Sequence, residues 1–310
     1  MNTNKELVRR LKTILNRYAR TNRMDSDTAE VELDLLDKEV KALPRDGIVP
    51  ALQAAVGHSK TRRAEVVNVL SWFTDIPEAV DFLGHELSSP DYHIRERVLG
   101  IIGHRKLSKL APLLNDVITH DPVQSCRERA ISVAAWLKQE VNFPAILQCA
   151  EIGDPALMGA LVHALLDYGR SEGYPYLRRA FEKPVPPPPP WYTKHISTTQ
   201  QEYEEESRWS GRKITKLFAA WGLAKLGDPE GIAHLGEMLY DPDHQVGQSY
   251  LPGQSLRAAQ AMADVFNLPF EWNTSHVPAI REWWERNREW ALSEGTRSVT
   301  EKRSSSDGLH

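Results

Sequence analysis

The residues able to do chemistry are few and scattered. His85-Glu86 is a single His-Glu pair within a helical stretch, and the other histidines stand apart from Glu. A metal centre needs several converging ligands, so one pair reads as a solvated helix position and no metal is expected. Cys126 and Cys149 lie in apolar helical patterns without CxxC or Cys/His spacing, which points to reduced, buried thiols. A reactive cysteine would need an exposed, electropositive setting instead. There is no Gly-rich phosphate loop, GxSxG elbow or HExxH helix. The expectation is a protein that is not an enzyme, with no catalytic residue and no cofactor.

The elements carrying these residues repeat. Aligning Arg63, Arg95 and Arg127 brings "RAEVVNVLSWF", "RERVLGIIGHR" and "RERAISVAAWL" into register at a spacing of 32. Apolar residues recur at the same offsets, first Val66, Val98, Ala130 and Val162, then Val69, Ile101, Val133 and Leu165. The i, i+3, i+4 pattern is that of an amphipathic helix. Each copy follows a proline- or glycine-marked turn ("SSPDYH", "HDPVQS", "IGDPAL") and, before it, another helical stretch such as "PEAVDFLGHEL" or "LAPLLNDVI". The unit is helix, turn, helix, and stacking buries stripes that a lone hairpin leaves wet.

These segments resemble HEAT repeats. "DYHIRERVLGIIG" supplies Asp91, Ile94 and Arg95, "SLRAAQAMADVF" supplies Leu256 and Arg257, and Ala219 to Pro242 fits as well. The similarity covers about residues 47–267, although Gly159 stands where the fourth unit should have Arg and the fifth has lost its turn motif. The resemblance implies an all-α, right-handed α-solenoid of about six HEAT-like helical hairpins with helical caps. It also implies that the repeat arginine bonds the turn acid, Asp91 for Arg95 and Asp121 for Arg127. Activity does not follow from such a fold. HEAT-like relatives include base-repair proteins, which combine aromatics, an acid and cations, and here Trp72, Asp75, Arg97 and Arg129 would be the counterparts. They also include bilin lyases, which no residue of this chain singles out.

The expected domain plan has an N-terminal helical cap hairpin over 1–46, repeats over 47–267, a Trp-rich cap helix over 268–293 and a disordered tail over 294–310. Residues 4–23 carry seven basic residues against one acid, and residues 25–39 carry seven acids against one lysine. Folding the second helix onto the first neutralises a charge that would otherwise suggest membrane or nucleic acid. No apolar run approaches membrane-spanning length, and "MNTNKELVRRLK" lacks the apolar core of a secretory signal, so a cytoplasmic location is expected. The net charge of −4 offers no general attraction to nucleic acid.

Two insertions break the period, at 183–210 and 243–254, both between the helices of one hairpin. The first holds Pro186 to Pro190 followed by Trp191 and Tyr192. Proline fixes φ and removes the donor, which predicts a short polyproline II rod. Three readings stay open for it: a partner-binding edge, a structural patch, or a ligand for a proline-recognising domain. On the first reading Trp191, Tyr192, Trp209, Tyr250 and Leu251 contact a protein partner, and Glu204, Glu205 and Glu206 steer a basic one. The function expected is a non-catalytic protein-binding scaffold, with the second helices as its concave wall. A toxin-occluding immunity protein is one concrete form. Nucleic-acid binding through Arg97 and Arg129 is the competing class. The sequence sets no oligomeric state.

Overall fold

The computed structural model describes residues 2–21, 24–56, 63–191, 199–241, 254–271 and 273–306. The described residues are helical with connecting turns and 3-10 segments, in two compact units, Met1–Asn142 and Phe143–His310.

In the first unit α1 (Asn2–Thr21) and α2 (Ser26–Lys41) form the cap hairpin. The apolar stripe of α1 is buried through Leu7, Leu11, Ile14, Leu15 and Tyr18. Each such side chain contributes about 1.5–3 kcal/mol on burial. The acidic helix folds onto the basic one as its charges require. Arg17 reaches Glu32 at 2.7 Å and Glu39 at 2.6 Å, and the Tyr18 hydroxyl donates to Asp37 at 2.8 Å. Three hairpins follow: α3 (Ile48–Val56) with α4 (Arg63–Leu70), α5 (Pro77–Glu86) with α6 (Tyr92–Arg105), and α7 (Ala111–His120) with α8 (Gln124–Leu137). The second helices pack in sequence, α4 on α6 and α6 on α8.

One buried ion pair ties α6 to the next hairpin. Arg95 donates from Nε and Nη2 to the two oxygens of Asp121, both at 2.7 Å, and from Nη1 to the Ser89 carbonyl at 2.7 Å. This corrects the pairing implied by resemblance. Asp91 caps its own helix by accepting from the His93 amide at 3.0 Å. The arginine therefore takes the acid in the following hairpin's turn, because its long side chain spans the step between stacked pairs.

The second unit contains α9 (Phe143–Ile152) with α10 (Met158–Tyr168), α11 (Tyr174–Glu182) with α12 (Gln200–Lys225), α13 (Pro229–Met238) with α14 (Gln254–Phe266), and α15 (Val277–Ser306). Here α12 packs on α10 and on α14, again aligning second helices. Trp284 of α15 is buried against Gly236 of α13, and Phe266 gathers Trp283 and Trp290, so the Trp-rich helix closes the last hairpin.

Two boundaries differ from expectation. α12 begins at Gln200 rather than near Ile214, so Gln200–Ser210 is helix and not inserted loop. The cause is a capping box: the Thr199 hydroxyl accepts from the Glu202 amide, and the Glu202 carboxylate accepts from the Thr199 amide, both at 3.2 Å. The tail taken as disordered from 294 continues α15 to Ser306. Of the second insertion, 243–254, residues 243–253 lie outside the described residues, while Gln254 already belongs to α14.

Candidate functional site

An open groove of about 1290 Å³ lies in the first unit. Its wall is one face of each second helix. From α6 come His93, Arg97, Gly100 and His104, and from α8 Ser125, Arg129, Ser132 and Trp136. These positions recur every three or four residues, as a helix of 3.6 residues per turn demands of a single face. Tyr18 of α1 and Leu33 and Asp37 of α2 line the groove from the cap hairpin.

The groove's two tryptophans play different parts. Trp72, just after α4, donates its indole N–H to Asp37 at 3.1 Å, and the Lys41 ammonium and Arg105 guanidinium lie 3.8 and 4.4 Å from its ring centroid. Burial, reinforced by the Asp37 hydrogen bond, holds the Tyr18 phenol above its usual range, so it stays a donor to that carboxylate. Trp72 is thus committed to intramolecular contacts. Trp136, by contrast, is 56% exposed, with His104 set edge-on at 6.4 Å.

Two glycines shape the floor. A Cβ at Gly100 would lie 3.0 Å from the Arg129 guanidinium, and one at Gly103 would lie 3.2 Å from Val133 and 3.4 Å from Trp136. Their absent side chains let Arg129 and Trp136 lie across α6. The charges along the groove are mixed: Asp37, Glu96 and Glu128 against Arg97, Arg105 and Arg129. Formally they cancel, so no single-sign field runs along it.

The structure distributes the sequence-nominated residues between the two units. Arg97 and Arg129 both line the groove. Asp75 does not; it is exposed and pairs with Arg45, so it does not join Trp72 in one site. His85 is exposed whereas Glu86 is buried, so the pair does not converge on one point. Cys126 is fully buried, and burial followed by the nearby Asp121 charge raises its thiol pKa.

In the second unit Trp191 folds onto α12, its indole N–H donating to Glu205 at 3.1 Å. That bond, with one from Gln201, holds the Glu205 carboxyl below its usual range. Glu204 is exposed and Glu206 partly so. Trp209, expected on a partner-facing rim, is only 6% exposed, because the longer α12 carries it into the packed body of the unit. Tyr192, Tyr250 and Leu251 lie outside the described residues. Of the groove residues, Trp136, His93, His104 and Gly100 were not singled out from sequence. The Gly-x-x-Gly spacing within α6, a costly choice for a helix interior, was the available signal.

Among the described residues no helix is long and apolar enough to cross a membrane. No curated protein sequence matches the chain. Residues 216–241, covering the end of α12 and all of α13, match the family model described as PBS lyase HEAT-like repeat. That match stands inside helix pairs that stack second helix on second helix, and it supports a helical-repeat protein of HEAT-like type.

Proposed function

We propose that the protein is a non-catalytic scaffold that holds an extended segment of a protein partner in the groove of its first unit. The observation carrying this reading is the 56% exposed Trp136 on a groove wall built by successive second helices. Trp is the commonest hot-spot residue at protein interfaces. The alternating acids and arginines around it suit a polypeptide bearing both signs of charge. The only described thiol near the groove wall, Cys126, is sealed and held protonated, which supports a binding role over a nucleophilic one. An immunity protein occluding a toxin would use the same surface. The matched family model spans a structural repeat, so it lends no lyase activity to this chain.

The competing reading, nucleic-acid binding, draws on Arg97 and Arg129 both facing the groove. Glu96 and Glu128 beside them oppose phosphate, since backbone affinity rests on a net positive surface. The test is selection of binders from a displayed peptide library, followed by comparison with Trp136→Ala. Loss of a hot spot weakens binding about 30-fold, the equivalent of about 2 kcal/mol. Selected peptides that bind Trp136→Ala as tightly as the parent would overturn the groove reading. Duplex DNA affinity that falls steeply with salt and vanishes in Arg97→Ala plus Arg129→Ala would establish the alternative.

A further inference from the structure

The stacked hairpins of both units share one electrostatic device. A cation on a second helix reaches the acid in the next hairpin's turn: Arg95 in the first turn of α6 takes Asp121, and Lys213, midway along the longer α12, takes Asp241 at 2.6 Å. Each acid is almost wholly buried, with side-chain exposure of 4% and 5%. Arg257 occupies the same place on α14, preceded by Leu256 as Arg95 is by Ile94. Among the described residues α14 is followed by the 3-10 turn Thr274–His276 and the single helix α15, with no further hairpin turn to provide an acid.

The last rung is accordingly unfilled among the described residues. Arg257 is part-buried, its guanidinium lies 5.7 Å from the Phe218 ring centroid, and its Nε is sealed from solvent without an acceptor. Burial lowers its pKa with no described acid acting in the opposite direction. Three acids of the closing elements have other partners: Asp264 pairs with Lys225 and the Trp221 indole, Glu282 with Arg286, and Glu285 with the Tyr240 hydroxyl. A cation withdrawn from water without a counter-charge is costly. An incoming carboxylate removes that cost and gains charge-assisted hydrogen bonds.

We propose that Arg257 is a docking point for an acidic side chain of a protein partner, whose carboxylate fills the rung that Asp121 fills at Arg95. The acid arrives from the open side and accepts from the terminal guanidinium nitrogens, with Phe218 beneath as an apolar floor. The proposal stands independently of the groove in the first unit.

The test uses the full chain with arginine labelled for Nε–Hε correlation spectra, the Arg257 signal being identified by its absence in Arg257→Lys. The probes are acetate, N-acetylglutamate amide, inorganic phosphate and chloride at matched ionic strength. A saturable shift of the Arg257 signal with both carboxylates, absent with chloride, is expected. A Glu-containing peptide that binds should lose about tenfold in affinity on Glu→Gln, and the same in Arg257→Lys. Any of three results overturns the proposal: no shift beyond the effect of ionic strength, a response to phosphate alone, or a signal in the unliganded chain that moves on Asp243→Asn, which would show the rung filled from within.

Discussion

Replacing Asp121 with Asn tests the stacking argument at its centre. Asp121 Oδ1 accepts from Arg95 Nη2 at 2.7 Å and from the Val123 amide at 2.8 Å, while Oδ2 accepts from Arg95 Nε at 2.7 Å. Asparagine keeps one acceptor and turns the other position into a donor facing the guanidinium. With side-chain exposures of 8% and 4%, water cannot substitute, and the Arg95 charge is left with neutral acceptors only, the asparagine oxygen and the Ser89 carbonyl. Breaking a buried pair from one side costs about 3–5 kcal/mol. Taking ~3 kcal/mol and a urea slope of about 2 kcal/mol/M, the unfolding midpoint of the first unit falls by about 1.5 M. Asp116→Asn is the control, because that carboxylate is 85% exposed and paired only with His120, a change of under about 0.5 kcal/mol. Arg95→Met combined with Asp121→Asn should recover part of the loss, since no buried charge is then left alone. Urea unfolding followed by helical signal and tryptophan emission reads the parent and all three variants. A midpoint for Asp121→Asn no lower than that for Asp116→Asn refutes the reasoning.

Acid should expose the same pair: burial alone would raise the Asp121 carboxyl, but Arg95 and the Val123 amide outweigh it and hold its pKa below the ordinary range. Its contribution is present above the unfolded value near 3.9 and is lost as pH falls from there through the folded value, so the gap between parent and Asp121→Asn should narrow in acid. A methyl at Gly236 would overlap the Trp284 indole, so Gly236→Ala should lower the melting temperature by an amount equivalent to about 1–3 kcal/mol. Gly211→Ala, with nothing within 4 Å of the added carbon, should raise it by up to about 1 kcal/mol. His163 is exposed to solvent on one side but packs 3.7 Å from the Phe218 ring on the other, and the resulting desolvation, opposed by Asp167 and aided by Arg257, lowers its pKa. Its proton titration should have a midpoint below 6.5, and its contribution to stability should be lost as pH drops below that value; a midpoint at or above 6.5 contradicts desolvation by the Phe218 contact.

Periodicity made the hairpins legible, because an apolar stripe at helical spacing is a local property that any stacked arrangement must bury. Charge made the cap hairpin legible for the same reason: a helix rich in Lys and Arg beside one rich in Asp and Glu has a single neutral solution, seen in Arg17 between Glu32 and Glu39. The start of α12 is also written locally, in the capping sequence Thr199-Gln200-Gln201-Glu202, although a helix-breaking proline run stands shortly upstream of it.

Other features had no local signature. Whether Arg95 bonds Asp91 or Asp121 depends on the step between stacked pairs, which sets the distance its side chain must span. Trp72, Trp136 and Trp209 are the same residue type in similar helical contexts, yet one is held by Asp37 and two cations, one stands open and one is buried. Their fates follow from which neighbour each helix face meets. The amino-acid sequence by itself determined the repeating helix pairs and their caps, since these answer to hydrophobic spacing and charge along the chain. Only the tertiary structure decided which aromatic stands open to solvent and which cation meets which acid, because pairing across stacked helices is a matter of reach in space.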